Sequence, residues 1–229
     1  MDTQDRAPST SPSTTTTAVS VAPPARRLLS GTALAAAGAC IVIGHALTVD
    51  PNMSTGRYID ALAAHHLRGT TGGLVTSVGA FLLLPGIAGL LGLVGRSRLA
   101  TLGGALWGLG ACALGAGDVM ITLVMSALVP DHPSTARSIL SVAAHSGTLG
   151  LPFLLAPALI LGGLLMGIAL WRSRSVPRWL AALLCVGQVL IGASSGGGLL
   201  TAAVPLLPMG VALALLGRRV ADGEATLSR

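Results

Sequence analysis

The segment STGRYIDALAAH, residues 54–65, recurs later in the chain as STARSILSVAAH, residues 134–145. Both copies fit the pattern Ser-Thr-x-Arg-x-Ile-x-x-x-Ala-Ala-His, and they are offset by 80 residues (134 − 54). We interpret them as two copies of one short amphipathic helix within an internal repeat. The competing interpretation is chance similarity between two alanine-rich helices.

Composition indicates the class of protein to which these helices belong. Of the 229 residues, 52% are hydrophobic and 10% are charged, and the mean hydropathy is +0.78. Soluble domains carry about 25% charged residues, so these values predict an integral membrane protein. The net charge of +6 comes from arginines that lie beside apolar segments. We therefore expect no nucleic-acid partner.

Six apolar segments are close to the roughly 20 residues that a helix needs to cross a bilayer. They predict an all-α fold, a bundle of six transmembrane helices within a domain of residues 28–217. Residues 1–27, rich in Ser, Thr and Pro, predict a disordered tail, and residues 218–229 a second tail. A cleaved signal at the first apolar segment is disfavoured because that segment continues past Cys40. The predicted spans are residues 28–49, 73–94, 99–129, 147–171, 179–194 and 199–216.

Arginines mark alternate connections between the spans. By the positive-inside rule, these connections lie in the cytoplasm, as do both termini. The intervening connections hold Arg57, Arg68 and Arg137, which Asp50, Asp60 and Asp131 balance. The arginines of the cytoplasmic connections are Arg26, Arg27, Arg96, Arg98, Arg172, Arg174, Arg178, Arg218 and Arg219.

The repeated segments then fall in the two longer external loops. We expect external amphipathic helices at about residues 54–68 and 134–146, each between an outgoing and a returning span. Spans one and two become pseudo-equivalent to spans three and four, as a parallel repeat about an axis near the membrane normal. The last two spans form a third, short hairpin without an external helix.

The ionisable side chains that this topology gathers near the external face form the candidate ligand-binding site. Asp118 is the single acidic residue within a predicted span, where an ionisable group is costly unless paired or hydrated. His65 and His145 are candidate metal ligands if the repeat brings them together. The alternative is that Arg and His anchor the external helices in the headgroup region. The candidate residues are His45, Arg57, His65, Asp118, Arg137 and His145.

These patterns leave three functional hypotheses open. The first is a non-enzymatic protein that binds or transports a small solute at an external site between the repeated hairpins. The second is an intramembrane enzyme that depends on a metal or haem held by the His and Asp residues. The third is a structural membrane subunit. Expected partners are the lipid bilayer, a small-molecule ligand, and a second copy or another membrane subunit.

The chain as a whole resembles the uncharacterised polytopic membrane proteins of high-GC bacteria. The resemblance rests on spans rich in Ala, Gly and Leu and on basic residues that are all arginine. It implies a multi-pass protein of a bacterial plasma membrane and assigns no functional residue.

Overall fold

The computed structural model describes residues 24–48, 54–95, 97–146, 155–193 and 199–223. All regular elements in these ranges are helices, which confirms the all-α prediction for this part of the chain. The predicted tails at residues 1–23 and 224–229 lie outside the description. So do residues 147–154, where the fourth span was expected to begin, and the glycine-rich turn at residues 194–198.

Six long helices and two short ones make up the described fold. The short helices, α2 and α5, occupy the positions of the two repeated segments. In chain order the helices are α1 (Pro24–Leu47), α2 (Thr55–Ala64), α3 (His66–Val94), α4 (Arg98–Leu128), α5 (Pro133–Ser146), α6 (Ala156–Ser173), α7 (Arg178–Ala193) and α8 (Leu199–Asp222).

Four of the helices are long and apolar enough to cross a membrane. These segments are Pro24–Leu47, His66–Val94, Arg98–Gly117 and Val204–Asp222. Two shorter apolar helices, Pro157–Ser173 and Arg178–Ile191, accompany them. The described part of the chain is thus a helical protein with the spans expected of a membrane protein.

Helix ends differ from the predicted spans mainly where polar residues continue a helix beyond its apolar part. Helix α1 includes Arg26 and Arg27, which were placed in the tail, and α8 continues from residue 216 to Asp222. Arginine is a good helix former, so the backbone hydrogen bonds continue past the apolar boundary. The first external helix ends at Ala64, and residues 66–68 belong to α3 instead.

The long helices form a closed ring in which each packs against the next, in the order α1, α3, α4, α6, α7, α8 and back to α1. Neighbours run antiparallel. For example, a Cβ at Gly38 of α1 would meet Gly210 of α8, and Gly31 meets Gly217 farther along both helices. At Gly31 and Gly217 the two backbones are so close that a side chain on either residue would overlap the other helix. This close approach closes the ring.

The antiparallel ring brings all the alternate connections named above to one end, which we call the arginine end. Its described arginines are Arg26, Arg27, Arg98, Arg172, Arg174, Arg178, Arg218 and Arg219. Helices α2 and α5 lie at the opposite end, where α2 packs against α3 and α5. A separate apolar cluster of Ile59, Leu62, Met125, Val129 and Ala136 joins α2 and α5 to the end of α4.

Candidate functional site

The centre of the ring holds a small cavity with a volume of about 40 Å³. All six long helices contribute side chains to its wall, and most of these side chains are apolar. A volume of about 10–15 Å³ is enough for one water molecule, so the cavity holds a few small atoms. Its wall includes His45 of α1, Leu83 of α3, Trp107 of α4, Leu159 of α6, Ile191 of α7 and Met209 of α8.

The cavity extends from the middle of the long helices toward the end that carries α2 and α5. Trp107 follows Arg98 by nine residues, and Met209 precedes Arg218 by nine residues. At a rise of about 1.5 Å per residue, both side chains lie roughly 14 Å from the arginine end. The hydrocarbon core of a bilayer is about 30 Å thick, so this part of the cavity falls close to its midplane. His45 lies farther along, about 27 Å from Arg27 by the same rise.

Among the described side chains that line the cavity, His45 is the ionisable one. Its ring is partly buried, and Nδ1 lies 3.0 Å from the carbonyl oxygen of Ile41, one helical turn earlier. Because a carbonyl oxygen can only accept, Nδ1 donates this hydrogen bond. Nε2 is then the ring nitrogen left to bind a ligand. The cavity therefore combines a mostly apolar wall with the His45 ring at the end nearer α2 and α5.

Next to the cavity, Gln188 of α7 places a polar side chain among apolar residues. It is fully buried, and its Nε2 donates to Sδ of Met209 at 3.3 Å. Its Oε1 has no hydrogen-bond partner among the described residues. The side chain fits here because Gly163 of α6 lies directly against it and has no Cβ. An unpaired buried amide oxygen costs about 1–3 kcal/mol.

The two repeated helices meet at the opposite end of the ring through an ion pair. Nη2 of Arg137 lies 2.8 Å from Oδ1 of Asp60, and both side chains are more than half exposed. The copies are not equivalent here, since the counterpart of Asp60 in the second copy is Leu140. Burial differs as well, because Ile59 is 1% exposed and Ile139 is 39% exposed. Arg137 of α5 thus pairs with Asp60 of α2. The repeat-equivalent arginine, Arg57, is exposed on α2.

The other predicted site residues lie apart from the cavity wall or outside the described side chains. His65 is exposed at the break between α2 and α3, in a shallow surface depression formed by residues 63–68. Asp118 lies in α4 and His145 in α5, and the structure does not describe their side chains. The pairing of His65 with His145 therefore stays a prediction. Of the six candidates, the cavity includes His45.

Arg68, which was not among the candidates, stabilises the end of α1 close to His45. Its Nη2 donates to the carbonyl oxygen of Ala46 at 3.2 Å. A cation at a helix C-terminus satisfies a free carbonyl group and interacts favourably with the helix dipole. Arg68 therefore fixes the start of α3 against the end of α1.

No group of three or more His, Cys, Asp and Glu side chains converges within the part of the chain that the structure describes. The three cysteines are unpaired and lie on three different helices: Cys40 on α1, Cys112 on α4 and Cys185 on α7. A metal or haem held by the His and Asp residues stays a prediction, since the side chains of Asp118 and His145 lie outside the description.

Trp107 and Met209 were missing from the predicted site, and the sequence carries a usable signal for the first. Tryptophans of membrane proteins concentrate at the interfaces, where Trp171 and Trp179 are found beside arginines. Trp107 lies in the middle of an apolar segment and is 1% exposed. A tryptophan at this depth indicates a specific packing or binding position. No comparable signal distinguishes Met209 from the other apolar residues.

The fold and the cavity together define an all-helical protein with apolar helices of membrane length. The sequence profile of the family described as Domain of unknown function (DUF4386) matches residues 29–220, and the chain belongs to this family. The match begins in α1 and ends in α8, so it includes the whole ring and both short helices. No curated protein and no solved structure matches the chain.

Proposed function

We propose that this protein is a six-span protein of the bacterial plasma membrane that binds a small amphipathic solute in the central cavity. In this arrangement α6 and α7 complete the spans, and the arginine end with both termini faces the cytoplasm. The positive-inside rule supports this orientation, because the ring collects the described arginines of four connecting or terminal segments at one end. Helices α2 and α5 then lie at the external surface.

The observation that carries the proposal is that all six long helices line one cavity. A gap left by imperfect packing between two helices would be lined by side chains of those two helices, not of all six. Binding sites in helical bundles are built from side chains on several facing helices. The cavity wall supplies apolar surface and the His45 ring, which suits a ligand with an apolar body and one hydrogen-bonding group.

Three prolines support movement at the level of the cavity. Pro85 lies inside α3, and Pro205 and Pro208 lie inside α8. Each is within two residues of a cavity residue, namely Leu83, Leu206 or Met209. Proline removes a helical hydrogen bond and leaves a carbonyl free, which weakens the helix at that point. Both helices can therefore bend where they contact the ligand, as transport from the external face requires.

The test uses Trp107 as a reporter in the cavity wall. Because Trp171 and Trp179 are the remaining tryptophans, replacing both with Phe leaves one fluorophore. Bromoethanol, a small alcohol whose single bromine atom quenches indole fluorescence, is added to the purified protein in detergent. We expect saturable quenching of Trp107 in addition to the linear quenching produced by random collisions.

Two alanines of α4 supply a matched pair of variants. Both Ala111 and Ala100 are fully buried, and Ala111 lines the cavity whereas Ala100 does not. In the single-tryptophan protein, Ala111→Leu fills the cavity and should abolish the saturable quenching, and Ala100→Leu should retain it. Overpacking costs typically about 1–3 kcal/mol at either site, so both variants are compared at a temperature where both are folded. Equal quenching of the two variants, or no saturation in the parent protein, would contradict the proposal.

A further inference from the structure

The connection between α6 and α7 joins arginines to tryptophans in the sequence WRSRSVPRW, residues 171–179, which we call the Arg–Trp turn. Arg172, Arg174 and Arg178 are all exposed there. Trp171 and Trp179, at the two ends of the turn, are 44% and 58% exposed. The turn therefore presents three cations between two accessible indole rings.

Local hydrogen bonds and one apolar anchor fix the shape of this turn. Oγ of Ser173 lies 3.1 Å from the carbonyl oxygen of Leu170 and 2.8 Å from Oγ of Ser175. Val176 is 4% exposed and belongs to the main apolar core. The turn is thus held against the bundle, and its arginines project from a defined backbone.

Arg174 adopts a backbone conformation that indicates a specific role for the turn. Its φ of 54° makes it the single non-glycine residue with positive φ among those that the structure describes. Such a conformation costs about 1 kcal/mol or more for a residue with a Cβ, and glycine would avoid the cost. An arginine at this position is explained if its guanidinium group binds a ligand and this binding offsets the backbone cost.

The charges of the turn are not neutralised within the described protein. None of its three arginines forms an ion pair with a described carboxylate. Asp222 is the one described acidic residue at this end, and its Oδ2 lies 3.7 Å from Nε of Arg218 instead. Three exposed guanidinium groups on one nine-residue segment, without a described carboxylate partner, attract anions. Guanidinium groups bind phosphate through paired hydrogen bonds.

The tryptophans indicate that this anion belongs to a lipid. Exposed indole rings at the ends of membrane helices lie at the level of the headgroups. Arginines at the same level meet the phosphates of the lipid layer, and clusters of basic residues beside membrane helices bind anionic lipids. We propose that the Arg–Trp turn binds the headgroup of an anionic phospholipid at the membrane surface.

The test compares lipid binding to two variants that have lost the same charge. The purified full-length protein is titrated with dioleoylphosphatidylglycerol or dioleoylphosphatidylcholine, and bound lipid is counted by native mass spectrometry. The parent protein should prefer phosphatidylglycerol. Combining Arg172→Gln, Arg174→Gln and Arg178→Gln should weaken this binding by about a hundredfold, because each guanidinium group that contacts the bound headgroup contributes about fivefold. The control combines Arg26→Gln, Arg98→Gln and Arg218→Gln. These arginines lie on three separate helices and not on the turn, so the control should retain binding to within about threefold of the parent.

Three results would overturn the proposal: equal binding of both lipids by the parent protein, equal losses in the two triple variants, or full displacement of phosphatidylglycerol by millimolar inorganic phosphate. The last result would identify a phosphate site without lipid specificity.

If the first triple variant does not fold, Arg174→Gly replaces it, because glycine adopts the positive φ without strain. This variant should be at least as stable as the parent and should bind phosphatidylglycerol about fivefold more weakly. Unchanged binding would again contradict the proposal.

Discussion

Gln188 is the described residue whose chemistry fits its surroundings least well. It is 0% exposed, one of its amide atoms bonds to a weak sulfur acceptor, and the other has no partner among the described residues. A thioether is a poor acceptor compared with a carbonyl oxygen, so this bond offsets little of the cost of burying the amide. Its polar side chain next to the cavity thus reduces stability, as binding residues often do.

We expect Gln188→Met to stabilise the protein by about 1 kcal/mol, because the replacement has a similar shape and buries no unpaired polar atom. The measurement is the free energy of unfolding of the purified protein in detergent without added ligand. Gln188→Glu serves as the control of equal size and should destabilise, because its carboxyl group is more costly to bury. A loss of stability in Gln188→Met comparable to that of Gln188→Glu would show that the amide oxygen has a partner.

At the scale of elements, α2 and α5 are joined by two kinds of contact of different strength. The ion pair between Asp60 and Arg137 is mostly exposed, and such pairs contribute about 0–1 kcal/mol. The apolar cluster contains Ile59 and Leu62 of α2, which are 1% and 5% exposed. Removing a buried aliphatic side chain costs about 2–5 kcal/mol. The apolar cluster therefore holds the two helices together, and the ion pair contributes little.

A double-mutant cycle of Asp60→Asn and Arg137→Gln should accordingly give a coupling energy of about 0.2–1 kcal/mol. Hydrogen exchange of the α2 amides provides the opening free energy for each variant. Ile59→Ala should lower that free energy by about 2 kcal/mol or more. Arg57→Gln, at the repeat-equivalent position, is the matched control. Arg57 lies three residues before Asp60 on the same helix, with the cation on the less favourable N-terminal side, so its coupling with Asp60→Asn should be weaker than that of Arg137→Gln. Coupling of Asp60 to Arg57 as strong as to Arg137 would contradict the observed pairing.

At the scale of the whole molecule, the ring divides the chain into two chemically different ends. One end carries the eight described arginines of the arginine end, and the other carries α2, α5 and the ion pair. A membrane potential and anionic lipids both favour the basic end on the cytoplasmic side. The proposed orientation follows from this asymmetry.

Labelling of single cysteines tests the orientation directly. In a protein without Cys40, Cys112 and Cys185, Gly56→Cys on α2 and Arg172→Cys at the arginine end are made separately. Gly56 has open space at its Cβ position, and Arg172 is exposed, so both cysteines should be reactive. In intact cells, a membrane-impermeant maleimide should label only Gly56→Cys, and permeabilisation should be required for Arg172→Cys. The reverse pattern would contradict the orientation, and labelling of both would contradict the ring as a membrane-spanning unit.

Much of the architecture could be predicted because it depends on local features of the chain. The apolar segments predicted long helices, and helices were found at all six, with the beginning of the fourth segment outside the described residues. The repeated segments predicted α2 and α5, because a short amphipathic pattern determines a helix within its own length. Predicted helix ends were less accurate, as at Arg26 and at residues 66–68, since hydropathy marks apolar length and not helix length.

The sequence by itself determined an all-helical membrane-type protein, the positions of its helices and the grouping of its arginines on alternate connections. Only the tertiary structure decided that α1 packs against α8, that six helices share one cavity, and that His45, Trp107 and Met209 line it together. It also decided that Arg137 pairs with Asp60 of the other repeated segment. The physical reason is that apolar helices offer several similar faces, and lipid tails are as apolar as the side chains they contact. The choice of partner therefore depends on close packing between residues far apart in the chain, such as Gly31 and Gly217.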